Sequence, residues 1–315
     1  MKNLSLKQLR YFEALALHSH FGRAANACAV SQPALSVQIR DLEISLGAKL
    51  FERGARRARL TSFGEEFALR VRLILRSVDE LSELALASRD RLVGRLRIGI
   101  IPTIAPYLLP AIIGNMTRMH DGIDLQIRET LTPQLVEELI EGRLDAAIVA
   151  LPISEPSLTE VTLFEENFVL VRPDRDAGKP VPNRKALREM KLLLLEEGHC
   201  FRNQALSFCN IASSRPREIL DASSLATLVQ MVGAGMGVTL IPEMAIAVET
   251  RSAPVSIARF SAPQPTRTIG MIWRKTSPLS KQLIEISEIV RQSAAALEPC
   301  DQALAATPDT LAQQP

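Results

Sequence analysis

Four cysteines in 315 residues are too few to staple a chain of this size, so no disulfide framework holds this fold. Histidine is as scarce, with four copies, and no Cys/His group stands at metal-ligand spacing; neither a metal nor a cofactor is expected. No apolar run approaches the ~20 residues that span a bilayer. The opening Met-Lys-Asn-Leu-Ser-Leu-Lys-Gln-Leu-Arg lacks the apolar stretch of a secretory signal. These absences lead us to expect a cytoplasmic protein with no membrane partner, whose thiols are kept reduced and whose disulfides, if any, are transient. Gly233-Ala234-Gly235-Met236-Gly237 does not have the spacing of a dinucleotide fingerprint and reads as a helix end entering a strand.

What is present is ordinary in amount and uneven in place. Hydrophobic residues make up 47% and charged residues 23%, enough for two domains with substantial cores. The net charge of +2 hides a split: residues 1–92 carry 15 Lys/Arg against 10 Asp/Glu, a surplus of five, which leaves −3 for the rest. A basic end suits a nucleic-acid partner. There Ser5 caps a helix with Leu6, Leu9, Phe12 and Ala16 on one face, and a short helix from Phe21 to Cys28 follows. After a tight turn at Ala29-Val30, Ser31 caps a helix with Pro33 in its first turn. Its buried face is Leu35, Ile39, Leu42 and Leu46, and Gly47 ends it. Pro33, Val37 and Arg40 point away from that face, Ser36 sits at its edge, and Gln32 at the tip can pair with base edges. Two helices about a short turn match a helix-turn-helix, and the arginine-rich Arg53-Gly54-Ala55-Arg56-Arg57-Ala58-Arg59 reads as a basic wing for phosphates or a minor groove. A generic helical domain with a solvated arginine run is the plainer alternative.

Arg23-Ala24-Ala25, Val30-Ser31-Gln32-Pro33-Ala34-Leu35-Ser36, Ile39-Arg40-Asp41-Leu42-Glu43 and Leu50-Phe51-Glu52-Arg53 together resemble the winged helix-turn-helix of LysR-type regulators. The resemblance implies a double-stranded, pseudo-palindromic operator as partner. It places Gln32, Pro33, Ser36 and Arg53 at the DNA; Ser31 and Arg40 on the same helix and Arg56 and Arg57 in the basic wing are expected there with them, RNA polymerase is expected as a further partner, and the nucleoid as the place of work. Next, Ser62-Phe63-Gly64-Glu65 has capping-box spacing. Phe67, Val71, Ile74, Val78, Leu81 and Ala85 then form an a/d seam on a long helix that needs a partner copy. Dimerisation through residues 61–92 suits two half-sites, and the family resemblance adds a tetramer.

Beyond Gly94 the pattern alternates: strand Leu96 to Ile101, helix Pro106 to Met119, strand Leu125 to Arg128, helix Pro133 to Glu141, strand Ala146 to Ala150. This order implies a parallel sheet with helices on both faces. The chain crosses to a second lobe around Phe164 to Val171, with a helix from Ser223 to Val232 and a strand from Val238 to Ile241. It returns near Arg267 to Trp273 and closes with a helix from Pro278 to Ala295. The expected class is α/β with an all-α N-terminal part: a winged helix-turn-helix (1–60), a dimerisation helix (61–92), a two-lobed effector domain (93–297) resembling the family's periplasmic-binding-protein-like fold, and a disordered tail (298–315) containing Cys300. Thr103, after the first strand, and Thr132, an expected N-cap ahead of Pro133, lie at carboxyl ends of strands, where ligands bind and where helix caps also occur.

The segment Gly198-His199-Cys200-Phe201-Arg202-Asn203-Gln204-Ala205-Leu206-Ser207-Phe208-Cys209 holds two of the four cysteines nine positions apart in what reads as a helix. Nine helical steps cover roughly 13 Å, whereas a disulfide needs Cα atoms within about 7 Å. Joining the two must therefore unwind the helix, which suggests a redox switch. Cys28 reads as a small buried residue, and His199 as a neighbour of a reactive thiol. Together with Ile101-Pro102-Thr103-Ile104-Ala105-Pro106-Tyr107-Leu108-Leu109-Pro110 and Arg267-Thr268-Ile269-Gly270, this segment resembles the peroxide-sensing members of the LysR family. The resemblance implies hydrogen peroxide as effector, Cys200 as the peroxidatic thiol and Cys209 as the resolving one. It also implies support from Thr103, Thr132, His199 and Arg267, and a dithiol system as reductant. Asn203 stands where relatives often carry aspartate, which points to a lower Cys200 pKa. Two alternatives stay open: an organic co-inducer in the crevice between lobes, or a thiol peroxidase.

Overall fold

The computed structural model describes residues 4–52, 57–87, 94–119, 122–209 and 221–297, which form two compact units. The first is helical: α1 (Leu6–His18), α2 (Phe21–Ala27), α3 (Gln32–Leu46) and α4 (Ser62–Ala87). At the start of α1, Ser5 and Gln8 close a capping box, each side chain accepting from the other's backbone N–H. The inward face is Leu9, Tyr11, Phe12 and Leu15; Leu6, expected there, is exposed, because the core begins one turn further in. Phe12, fully buried, lies between Phe51 and Phe67, with ring centroids 5.5 and 5.1 Å away. Burying such a side chain contributes about 1.5–3 kcal/mol.

Between α2 and α3 the chain turns at Ala29, whose φ is 52°, and Ser31 caps α3 by accepting from the Ala34 N–H. Phe51 and Leu60 form an antiparallel bridge at the base of the wing. The cap of α4 falls one residue earlier than the sequence suggests: Thr61 Oγ1, not Ser62, accepts from the Gly64 N–H at 3.0 Å. Gly64 itself is dictated by a close approach, since a Cβ there would stand 2.2 Å from the Leu50 carbonyl oxygen. The expected seam of α4 is split. Val71, with Ala68 and Leu75, is buried in the core of its own unit, while Ile74 and Leu81 are exposed.

The second unit contains β1 (Gly94–Ile100), α5 (Ala105–Met119), β2 (Ile123–Glu129), α6 (Thr132–Ile140), β3 (Ala146–Leu151) and β4 (Leu158–Pro173). Then follow α7 (Arg184–Glu189), β5 (Leu194–Leu195), α8 (Cys200–Phe208), β6 (Asp221–Ala222), α9 (Leu225–Gly233) and β7 (Thr239–Pro242). Last come α10 (Ile246–Glu249), β8 (Val255–Arg259), β9 (Thr266–Arg274) and α11 (Ser280–Ala295). The expected βαβαβ opening is present, and β2-β1-β3 pair in parallel. The sheet is nonetheless mixed rather than parallel, because β9 runs antiparallel to β3 and β4 antiparallel to β9. Periodicity gives a strand's existence but not its direction, and β9 is contributed by a distant return of the chain.

β4 is the crossing element. Its first part, to Asn167, pairs with β9; from Phe168 onward it pairs with β7 and β8. One continuous strand thus serves both lobes. The second lobe closes around Phe168, Leu170, Leu194, Phe201, Leu228 and Leu240, with α8 contributing Phe201, Ala205 and Leu206 to that core.

Candidate functional site

The cysteine helix begins at a backbone position that favours glycine. Gly198 has φ +97°, and a Cβ on it would come within 2.9 Å of Leu131 Cδ1, so the approach to α8 lies against the segment that leads into α6. His199 follows as the N-cap residue without a side-chain capping bond. Its ring is buried, and burial depresses its pKa against the opposing pull of Glu196, so the imidazole is held neutral near pH 7. Cys200 is the first residue of α8 and half-buried, at the end of the helix where the first-turn N–H groups lie.

Cys209 occupies the other end, as the C-cap residue of the same helix. It is fully buried, and burial pushes its thiol up to about 11, with Arg184 opposing. The two sulfurs therefore differ in access. Nine steps of ~1.5 Å separate the residues along the axis, well beyond disulfide reach, and both are free thiols. Asn203 lies exposed on the outer face of the helix.

Arg267, on β9, joins the first lobe to this helix. Its Nε and Nη2 donate to Glu166 Oε2 at 2.8 and 2.7 Å, Nη1 donates to Thr103 Oγ1 at 2.8 Å, and Nη2 to the Thr103 carbonyl at 3.1 Å. The guanidinium also lies 5.3 Å from the centroid of the Phe201 ring, beside Cys200, and Phe201 packs edge-on against Phe168 at 4.8 Å. Arg267, Thr103 and Glu166 are all buried. A cleft of about 380 Å³ adjoins this network, lined by Thr103, Tyr107, His199, Leu131, Ser224 and Glu249 among others. Across it the Tyr107 hydroxyl donates to Glu249 Oε1 at 2.7 Å; burial and that carboxylate raise the phenol's pKa.

Thr132 does not cap α6 as expected. It lies inside the first turn, the Leu131 carbonyl accepts from the Leu135 N–H, and Thr132 Oγ1 is buried with no hydrogen-bond partner among the described residues. Leaving such a hydroxyl unpaired costs about 1–3 kcal/mol. Arg267 thus bonds Thr103 and reaches Phe201, the neighbour of Cys200, while Thr103, His199 and Leu131, the residue before Thr132, line the cleft. Glu166 was invisible to motif reading, since it stands 101 positions before its partner, and Phe201 lies inside the cysteine motif without a role assigned to it there.

On α3, Gln32, Pro33 and Arg40 are exposed and Ser36 half-buried, as the recognition-helix reading requires, and Ser31 is the cap. Arg57 is exposed on the wing, whereas Arg53 and Arg56 lie outside the described residues, as do Cys300 and the tail. Cys28 is half-buried at the end of α2, its thiol pKa raised by burial and by Glu13. Among the described residues no group of His, Cys, Asp and Glu could hold a metal, and no helix is long and apolar enough to cross a membrane.

Residues 6–65 match the bacterial regulatory helix-turn-helix of the lysR family, and residues 89–295 the LysR substrate-binding domain. The chain is 43% identical over 293 residues to a probable hydrogen peroxide-inducible genes activator of Streptomyces viridosporus, covering 92% of this chain and 94% of that one. It is 39% identical to the DNA-binding transcriptional dual regulator OxyR of Escherichia coli K12, covering 91% and 95%. Among solved structures it is similar to a full-length OxyR of Pseudomonas aeruginosa with a cysteine-to-aspartate substitution (TM-score 0.76, 36% identity, 92% and 96% covered). It is also similar to a cysteine-to-serine OxyR mutant of Corynebacterium glutamicum in the H2O2-bound form (TM-score 0.65, 33% identity, 94% of each chain).

Proposed function

The chain belongs to the LysR family of bacterial helix-turn-helix regulators, and on that premise we propose that it is a DNA-binding transcriptional regulator of the oxidative-stress response that senses hydrogen peroxide through Cys200. The observation that carries the reading is the placement of two free thiols at opposite ends of one helix, the first half-exposed and the second buried. Peroxide meets Cys200 first. Its thiolate attacks one peroxide oxygen, the O–O bond breaks, hydroxide leaves, and Cys200 becomes the sulfenic acid. Cys209 then attacks the Cys200 sulfur; the S–O bond breaks, and the leaving hydroxide takes up the thiol proton to give water and a disulfide. Because that bond cannot form across an intact α8, its formation remodels the second lobe.

Thr103, Thr132, His199 and Arg267 orient the peroxide and support the thiolate in this reading. The buried, unpartnered Thr132 hydroxyl supplies a free hydrogen-bonding group, and the neutral His199 can accept or donate one. Gln32, Pro33, Ser36 and Arg40, capped by Ser31, face the major groove, and Arg53, Arg56 and Arg57 hold the flanking backbone. Exposed Ile74 and Leu81 leave apolar surface on α4 for a second copy, giving a dimer on a pseudo-palindromic site and a tetramer from two dimers. The regulator works in the cytoplasm on the nucleoid, contacts RNA polymerase, and is reset by a dithiol that exchanges with the disulfide. Membership in the family makes it a regulator rather than an enzyme.

The test is footprinting of reduced and peroxide-treated protein on its operator, with mass spectrometry of Cys200 and Cys209. Cys200→Ser is expected to keep DNA binding and lose the peroxide-dependent change; identical footprints with a fully formed disulfide would sink the switch. The cleft favours one other reading, an organic co-inducer lying between Tyr107 and Ser224. Under it, Cys200→Ser would leave the response to effector unchanged.

A further inference from the structure

Phe208, the residue before Cys209, is held on two sides. The Arg184 guanidinium carbon stands 4.8 Å from its ring centroid, and the Phe260 ring meets it edge-on at 5.2 Å and 66°. Arg184 is the first residue of α7, whose Asn183 cap accepts from the Ala186 N–H at 2.9 Å. A cation in a first turn opposes the helix dipole, and α7 carries Arg184 and Lys185 there with no acid. The stability of α7 therefore does not explain Arg184. None of its described contacts is an ion pair; it stacks on Phe208, and its charge also acts on the neighbouring Cys209 thiol.

The consequence lies at the end of α8. Cys209 and Phe208 are adjacent, so Cys209 cannot travel towards Cys200 while Phe208 stays between Arg184 and Phe260. We propose that Arg184 is a positioning residue for disulfide formation: stacked on Phe208 against Phe260, it holds the last turn of α8, and release of this clamp sets the rate at which Cys209 reaches oxidised Cys200. The inference rests on the peroxide-sensing reading above. Atoms and electrons balance within the protein, since Cys209 supplies the electron pair for the S–S bond and the sulfenic oxygen leaves as water. The clamp is then what sets the lifetime of the sulfenic acid.

The experiment is quenched flow of the full-length protein with hydrogen peroxide, trapping sulfenic acid with dimedone and reading both cysteines by mass spectrometry. Wild type should show loss of the Cys200 thiol at a rate proportional to peroxide, then disulfide formation at a rate independent of it. Arg184→Ala removes a surface cation–π contact, which corresponds to a second step about two- to fivefold faster, with the first step unchanged. Arg184→Lys, whose ammonium can also sit over the ring, should lie between the two. Phe260→Leu should accelerate the second step as well, and Arg184→Ala, being at an exposed residue, keeps the test open if that core variant fails to fold. An unchanged second step in Arg184→Ala would overturn the clamp, and so would equal acceleration of both steps, which marks general loosening. A slower second step with its pH profile moved to higher pH would overturn it too, because Arg184 would then act through its charge on the thiol. If wild type forms no Cys200–Cys209 disulfide, the sensing reading falls and the clamp with it; a wild-type disulfide indifferent to Arg184 sinks the clamp alone.

Discussion

Replacing Arg267 by Met removes the guanidinium that ties β9 to the Thr103 turn and to α8, with little change in side-chain length. Four N–H contacts are lost, two to Glu166 and two to Thr103. Glu166 is left nearly buried with its Oε1 still accepting from the Met244 N–H and its Oε2 without the charge that balanced it. Breaking a buried ion pair from one side costs about 3–5 kcal/mol, and that is the expected loss for Arg267→Met. Glu166→Gln should cost a similar amount, since it strands the guanidinium instead. The double variant strands neither, so its cost should fall short of the sum of the singles by about 0.5–3 kcal/mol. Urea unfolding of the reduced full-length chain measures this through its single tryptophan, Trp273, which is buried on the same strand as Arg267 and so reports on the α/β unit alone. Strict additivity, or a loss below about 1 kcal/mol for Arg267→Met, would refute the claim that the pair is one buried unit.

Cys209 gives stability a dependence on alkaline pH. Its folded thiol, at about 11, lies above its ordinary value of 9.0, so the folded state binds more protons between the two values. Stability is fully present below that lower value and is lost as pH rises towards 11, by roughly 2–3 kcal/mol in all; urea midpoints from pH 8 to 11 should show this slope, and Cys209→Ala should make it shallower, leaving only what Cys28 and Tyr107 contribute. Gly198→Ala forces a left-handed φ of +97° on a residue with a Cβ and pushes on Leu131, so it should cost about 1–2 kcal/mol by the same tryptophan signal, whereas a neutral result would mean the turn relaxes freely. On the DNA side, Gln32→Ala should lose about 1–3 kcal/mol of discrimination at one base pair of a fragment selected from a random pool, read by anisotropy at fixed salt. Arg57→Ala should weaken all sequences alike and reduce the slope of log K against log salt by about 0.9.

Local signals were legible wherever the chemistry is local. Ser31 capping α3, the exposed face of Gln32, Pro33 and Arg40, and the two ends of α8 follow from residue types and helical spacing. Most of the misjudged positions involve a partner far along the chain, and one a shift of a single residue. Thr132 has the composition of an N-cap, yet Leu131 takes that place and the hydroxyl is left over. The seam of α4 reads as one stripe, but α1 covers Val71 and leaves Ile74 bare, because packing selects one side of the stripe. β9 reverses the direction expected of the sheet for the same reason: its neighbours β3 and β4 lie over 90 residues earlier. Glu166 had no signal at all, since a lone carboxylate in a strand becomes meaningful only once Arg267 is beside it.

The two ends of α8 are held by different kinds of contact, and this decides which cysteine moves. At the N-terminal end Phe201 is packed on Phe168 and stacked by Arg267, while Arg202 donates to the Leu195 carbonyl and pairs with Asp221, each at 2.6 Å. The C-terminal end is held by aromatic and cation–π contacts on Phe208 and by burial of Cys209. A nine-residue helix is too short to persist on propensity, so each end lasts only as long as its tertiary contacts. Charge-assisted hydrogen bonds to a backbone carbonyl and a carboxylate outlast a half-exposed ring stack, so under the proposed switch Cys200 is expected to stay and Cys209 to travel. Compared over amides hydrogen-bonded within the helix, hydrogen exchange on the reduced protein should therefore show 206–209 opening well before 204 and 205. Equal protection along the helix would mean that α8 melts as a whole, and the assignment of a fixed and a moving cysteine would be wrong.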